Sequence, residues 1–366
     1  MKTKTFLIIL ISLFHFCSCK QDASQMTVVV KYTESEGIDL LTMDYFSGFE
    51  VIQLSGADSP MLGIDINIQV VNDRYYIGDV FNSEKVHIYS DKGEYIRSVG
   101  EKGNGPEEYL SLSEFSVDKN GDVSIYSAMG EGSVYRYSEN GDFLSKTDCP
   151  YSSYKYISHK GVDYYYHGEG SGSEYKLYIV EGSDTAKYLK SPNLLPMTHL
   201  SPALTRYNDN IYLSEPYGNV VYKLNGSQMD SLYFFDFGKY NTPDEFYQFE
   251  DRFDAYFYIL PKDFATKGSF FDSDKYSFMS GAVNNFEQEI ERYFYGILDK
   301  KSDTWRWFYM KDGDFLNSVN LKYIDNDYAY FVAEPAMIPS GAAVKLGLTN
   351  ASEDDNIVII KCKFRR

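Results

Sequence analysis

The sequence predicts an all-β protein, a six-bladed β-propeller of four-stranded blades. Three observations predict it. The segment VHIYSDKGEYI (86–96) returns as VYRYSENGDFL (134–144), 48 residues on. Asn72 and Ile77 return at the same offset as Asn120 and Ile125. A strand-rich unit of that length is what one propeller blade requires. Each copy turns at Asp/Glu-x-Gly, closing on Gly93 and Gly141, and glycine there supplies the positive φ of a tight hairpin. Thirty-five Tyr and 25 Phe enrich the chain in residues that suit half-exposed sheets.

In chain order, the N-terminus comes first. Lys2 and Lys4 precede an apolar run, 6–14, that is too short to span a bilayer and reads as an export signal. It ends in FCSC (16–19), an apolar residue, two small residues and a Cys. That pattern resembles the lipobox of bacterial lipoproteins, which implies that residues 1–18 are a lipoprotein signal peptide, Cys19 the lipidated residue and 19–26 a linker. The propeller is read over 27–366. Removing 1–18 takes away two Lys and no acid, so the net charge falls from −18 to −20. That balance argues against nucleic acid or an anionic bilayer as a partner and favours solubility. The lipid bilayer is met only through the acyl chains on Cys19. Of the Cys that remain, Cys149 and Cys362 lie 213 residues apart and are expected to be unpaired and buried.

The blades follow. Strand-forming runs open them near 72, 120, 161, 208, 290 and 325. IYLSEP (211–216) is echoed by YFVAEP (330–335) at an offset of 119, with a different segment between. There, Thr242-Pro243-Asp244-Glu245 has the pattern of a capping box, and Phe246, Phe249, Phe253, Phe257 and Leu260 recur at helical spacing. This predicts a short amphipathic helical insert near 242–260, its aromatic stripe packed on the propeller or forming a partner-binding ridge. Two strands are left over, 49–54 and 356–364. Pairing the first into the last blade would close the ring and remove both open edges. The apolar run Ile357–Ile360 fits a strand covered on both faces.

Gly100, Gly103, Gly105, Pro106, Glu108 and Tyr109 form a Gly-x-x-Gly-x-Gly-Pro-x-Glu-Tyr turn. With Asp73…Ile77-Gly78-Asp79, Asp236-Phe237-Gly238 and Asp355-Asn356, it resembles the six-bladed β-propeller lipoproteins of the NHL-repeat type found in Gram-negative gut anaerobes. The resemblance runs over residues 27–364. It implies the fold and an outer-membrane lipoprotein, periplasmic or surface-exposed, and says little about chemistry.

Motifs for catalysis are weak throughout. The glycine turn 100–109 lacks the Lys-Ser/Thr and the helix of a phosphate loop and reads as an interblade connection. Asp118, Asn120 and Asp122 alternate as in a calcium loop, but Val123 and Met129 occupy the positions that require Gly and Glu, so 118–122 reads as a hairpin. His87, His159, His167 and His199 have no zinc spacing, and no nucleophile elbow is present. His87 reads as a packing residue. Trp305 and Trp307 share one side of a strand, with core packing expected. The glycine-serine loop with His167, Glu169, Ser171 and Glu174 is the candidate partner-contact loop.

No catalytic, cofactor-binding or metal-ligating residue is assigned, and a monomer is expected. The function expected is a membrane-anchored binding module that presents a loop face to a protein, peptide or glycan. The alternative is an enzyme, a sugar lyase or hydrolase or a metal-dependent lactonase, with acidic residues gathered at the central channel. Fold alone cannot choose between them.

Overall fold

The computed structural model describes residues 27–33, 45–56, 58–129, 132–149, 151, 153–168, 173–190, 203–309, 319–352 and 354–365. Two strands precede the first blade, β1 (Val28–Lys31) and β2 (Phe46–Gln53). The first blade is β3 to β6, at Ile66–Val71, Arg74–Asp79, Lys85–Ser90 and Tyr95–Val99. The second is β7 to β10, at Glu114–Val117, Val123–Ser127, Ser133–Tyr137 and Phe143–Asp148. The third is β11 to β14, at Lys155–His159, Val162–Tyr166, Tyr175–Glu181 and Asp184–Lys190. The fourth is β15 to β18, at Leu204–Tyr207, Asn210–Ser214, Val220–Asn225 and Gln228–Asp236. Helix α1 (Arg252–Ile259) intervenes, then the fifth blade, β19 to β22, at Phe264–Asp272, Tyr276–Asn285, Ile290–Asp299 and Thr304–Tyr309. The sixth contains β23 (Asn320–Ile324), β24 (Tyr328–Ala333) and, after helix α2 (Ser340–Leu346), β25 (Val358–Phe364).

The sixth sheet has the order β2-β25-β24-β23, so the N-terminal strand completes the last blade. Phe49 faces Cys362 and Gln53 faces Val358 in that antiparallel pair. Val358, Ile359, Ile360, Cys362 and Phe364 of β25 are all buried, which explains the uninterrupted apolar run. Each such side chain is worth about 1.5–3 kcal/mol of burial, so the closure carries a large part of the stability of the ring. Cys149 and Cys362 are both free and buried, as expected. One strand was not foreseen. β1 lies parallel to β18 as a fifth, outer strand of the fourth blade, and Trp307 Nε1 donates to Lys31 O at 3.1 Å to hold it there.

The repeats seen in the sequence map onto equivalent strands. Residues 86–90 and 134–137 are the third strands of adjacent blades, and 211–214 and 330–333 are second strands two blades apart. The turn 100–109 is the connection from the first blade to the second. Tyr109 is fully buried and its hydroxyl donates to Glu84 O at 2.6 Å. Glu108 accepts from Gly105 N at 2.8 Å. Gly100 sits at φ +85, and a Cβ there would meet Ile125 and Tyr109 at 2.6 and 2.7 Å. The motif is thus a plugged interblade connection. Residues 118–122 form the hairpin expected, with Asp118 Oδ1 accepting from Asn120 N and Asp122 N.

Two expectations need correction. The fifth blade opens at 264 and not near 290, because β19 and β20 precede the strands foreseen for it. The helical insert is real but is capped by Asp251, whose side chain accepts from Phe253 N and Asp254 N. Thr242 caps nothing; it precedes a short 3-10 turn that has no side-chain cap.

Leaving aside β1, which is added to the outer edge of the fourth, every blade has four strands, an even number, so the chain returns after each blade to the face from which it entered. The connections that lead into each inner strand and those between second and third strands therefore share one face. Those between first and second strands, such as 72–73, 118–122, 160–161 and 208–209, occupy the other. The first face carries the long segments, including α1, α2 and the glycine turn; the second carries tight turns. They are called below the loop face and the turn face.

Candidate functional site: the central channel and the loop face

The inner strands β3, β7, β11, β15, β19 and β23 surround a channel whose void is about 60 Å³. All six blades line it. Asn67 and Gln69 come from β3, Glu114 and Ser116 from β7, Lys155 from β11, Thr205 and Arg206 from β15, Phe271 from β19, and Lys322 and Tyr323 from β23. These polar groups stitch the blades together. Gln69 Nε2 donates to Phe115 O at 2.9 Å, and its Oε1 accepts from Val117 N at 3.0 Å. Ser116 Oγ donates to Ser158 O at 3.0 Å, Thr205 Oγ1 donates to Phe270 O, and Tyr323 Oη donates to Val70 O at 3.4 Å.

The charges are arranged from the loop face downward. Glu114, the first residue of β7, is buried; it accepts from Asn67 Nδ2 at 2.8 Å and pairs with Lys155 Nζ at 3.3 Å. Lys322 is beside them, and burial pushes its pKa down to about 8; Asp65 acts to raise it and Lys155 to lower it further. Nearer the turn face, Arg206 reaches past β11 to donate to Val117 O at 3.2 Å. The lining thus holds three cations, Lys155, Arg206 and Lys322, and one carboxylate, Glu114. That is the reverse of the balance of the chain as a whole, with 53 acids against 35 bases. The acidic cluster on which the enzyme alternative depended is not what these strands bring together. Among the described residues no group of His, Cys, Asp and Glu is placed to hold a metal ion.

Exposed apolar side chains occur on the connections of the loop face. Met61 and Phe81 come from the first blade, Leu110 and Met129 from the second, Tyr154 from the third, and Met337 and Val344 from the sixth. Phe253 and Phe257 project from α1, the latter 64% exposed. That helix docks through Ala255 and Ile259 onto Tyr217, Phe246 and Phe264, so its Phe stripe divides between core and solvent. No such side chain is found on the described turns between first and second strands, which hold residues such as Asn72, Asp118 and Asn208, although Ile96 and Leu144 are exposed just past turns between third and fourth strands.

Of the candidate contact loop, Glu169 and Ser171 lie outside the described residues, and Glu174 is exposed. His167 is not on the surface. It is buried just past the end of β12, its backbone N–H donates to Lys176 O at 2.7 Å, and its ring packs on Tyr151 and Tyr178. Burial lowers its pKa to about 4, so it is neutral near pH 7. Next to it, Lys176 and Glu215 form a buried pair at 2.8 Å that ties the third blade to the fourth. His87 is buried as well, its Nε2 2.7 Å from Ser83 Oγ, which donates to Asp79 at 2.8 Å. Burial also holds His87 at about 4. Trp307 is buried and Trp305 stacks on it at 5.9 Å, so the pair packs as expected. Cys19 lies outside the described residues.

Fold and channel define a six-bladed β-propeller with a polar, base-rich axis. The chain matches over residues 25–363 the family described as a domain of unknown function, DUF4934, and it belongs to that family. It is similar to the crystal structure of a Bacteroides fragilis protein assigned as exported, with a TM-score of 0.72 at 17% identity, over 93% of this chain and 100% of that one. At that identity the likeness shows the fold alone. Two weaker likenesses carry no argument. One is the Niastella koreensis GH74 enzyme, TM-score 0.42 at 10% identity over 78% of this chain and 42% of that one. The other is Citrobacter koseri AztD, TM-score 0.39 at 10% identity over 76% and 69%. No curated protein matches the sequence. Among the described residues no helix is long and apolar enough to cross a membrane.

Proposed function

We propose that this chain is a non-enzymatic binding module that presents the loop face of its propeller to a partner in the cell envelope. One observation carries the reading: exposed Phe and Met side chains from several blades lie on the loop face and are missing from the described turns between first and second strands. Scattered apolar residues are ordinary on a surface, but such side chains concentrated on one set of connections support an interaction face. Aromatic rings there suit a sugar face or an apolar side chain equally. The channel supports binding over catalysis, since its single lining carboxylate is already paired with Lys155.

The anchor is lipidated Cys19, in an outer-membrane lipoprotein that is periplasmic or surface-exposed. The FCSC signal supports this, and so does the export assignment of the similar Bacteroides protein. Stable anchoring needs two or more acyl chains. Cys19→Ala should therefore release the protein from membranes or leave it unprocessed; unchanged partitioning would place the anchor elsewhere.

The face itself is tested by Phe253→Ser/Phe257→Ser. Exposed substitutions change stability by about 0.5 kcal/mol or less. The double variant should keep its melting temperature and lose most affinity capture from intact cells. Undiminished capture, or turnover of a polysaccharide or lactone panel that Glu114→Gln abolishes, would replace the binding reading with the enzyme.

A further inference from the structure

We propose that the loop-face mouth of the channel is a carboxylate-binding site, in which the Lys322 ammonium holds the single carboxylate of a ligand seated on that face. The inference deepens the binding-module reading and rests on it.

Lys322 lines the void, yet among the described residues its ammonium makes no hydrogen bond or ion pair. The other charged and titratable groups around it are accounted for strand by strand. On β7 and β11, Glu114 and Lys155 offset each other. On β15, Arg206 is committed to Val117 O. On β23 itself, the Tyr323 hydroxyl donates to Val70 O. Ahead of β3, Asp65 attracts the ammonium without pairing with it. Arg206 keeps its charge while bonded to a neutral carbonyl, so the lining holds two net positive charges, and Lys322 is the one of the two whose ammonium has no partner among the described residues. Lys322 is half-buried, and a charge withdrawn that far from water costs free energy unless something pairs with it.

Charge and size narrow the occupant. With Glu114 paired to Lys155 and Arg206 bonded to Val117 O, the Lys322 ammonium is the group left to hold an anion, and one ammonium suits one carboxylate. A water needs about 10–15 Å³ on this measure, so the void of about 60 Å³ holds about four to six waters. A carboxylate fits, and a sugar ring or peptide chain does not. The remainder of the ligand must lie outside the void, on the loop face, whose connections carry the exposed side chains Met61, Phe81, Leu110 and Met129. The low pKa of Lys322 gives the site a pH limit. The ammonium is charged below about 8 and attracts the anion there; above that it loses its proton and the attraction with it. A bound anion favours the charged form and raises the midpoint.

The test is a side-chain NMR pH titration of Lys322 in the full chain in detergent, its signal assigned by its loss in Lys322→Met. The probes are sodium acetate and sodium glucuronate, with sodium phosphate and sodium chloride at matched ionic strength. Acetate should raise the midpoint by about one unit at saturation, and its affinity should fall about tenfold per pH unit above that midpoint. Lys322→Met should lose acetate binding, while Lys322→Arg should keep it without the alkaline loss. Equal binding of glucuronate identifies sugar acids as the source; acetate without glucuronate supports the site and points to a simpler carboxylate. A midpoint that acetate does not move, or that chloride moves equally, overturns the site, as does tighter binding of phosphate. If it fails while Phe253→Ser/Phe257→Ser still loses capture, the loop-face reading stands and only the carboxylate is removed.

Discussion

The loop face and the turn face are built from the same twenty-four strand ends, yet only one of them has been elaborated. On the turn face the chain reverses in the fewest residues it can, using Asn72, Asp73, Gly121, Lys160, Gly161 and Asn208 at positive φ. Those turns are polar, and they bring side chains of one blade against the next, as where Asn72 donates to Lys119 O at 3.1 Å. On the loop face the connections include α1, α2 and the plugged glycine turn, with Phe and Met side chains left in solvent. A ring needs both faces to be connected, but it needs only short turns to do so. What exceeds that minimum is free to serve recognition, which on rigid scaffolds resides in loops.

The comparison assumes one closed scaffold beneath both faces, and the largest effect comes from breaking that scaffold. Deleting Asn356–Phe364 removes five buried side chains of β25 and exposes the surfaces they cover and the paired edges of β2 and β24. At about 1.5–3 kcal/mol each, this loss is about 10 kcal/mol, comparable with the whole stability of a domain. Both faces should melt together, and the open edge should aggregate. A truncated protein that stays monomeric, with an unchanged melting temperature, would mean that the ring is not closed by these strands.

Acid should separate the two faces. His87 and His167 both lie under loop-face corners, and burial holds each at about 4 against an ordinary value of 6.5. Above pH 6.5 both are neutral folded or unfolded. Between 6.5 and 4 the unfolded chain binds protons that the folded chain does not. Stability therefore drops as the pH is lowered through that window, by up to about 1.4 kcal/mol per unit for each histidine. Hydrogen exchange at pH 5 should accelerate around 79–87 and 167–176 before it does at the turns 118–122 and 208–209. Uniform acceleration would show that the acid response is not local to these corners.

The legible part of the fold was the part under repeating constraint. Blades one and two announced themselves because Gly93 and Gly141 must occupy the same turn, and the closure because β25 is apolar on both sides. The fifth blade was misplaced for a physical reason. Its first strands contain Lys267, Gly268 and Gly281 where branched residues would be expected. Gly281 is required because a Cβ there would meet Phe294 at 2.5 Å and Thr266 O at 2.6 Å, a constraint that exists only after folding. The channel was illegible for a related reason. Asn67, Glu114, Lys155, Arg206 and Lys322 come one from each of five blades, so no linear spacing joins them. The signal available was a charged or amide side chain opening a short apolar strand, as in Glu114 before Phe115 and Lys155 before Tyr156. His167 misled because its loop is glycine-rich while the residue itself belongs to the strand end beneath.

The most direct measurement is a paired photo-crosslinking experiment on intact cells. Benzoylphenylalanine is placed at Phe257 on the loop face and, in a separate protein, at Lys119 on the turn face, both exposed positions. If the loop face is the binding face, irradiation should give a discrete adduct from position 257 and none from position 119, with both proteins folded and anchored. Adducts of equal yield from the two positions, or an adduct from 119 alone, would contradict the account.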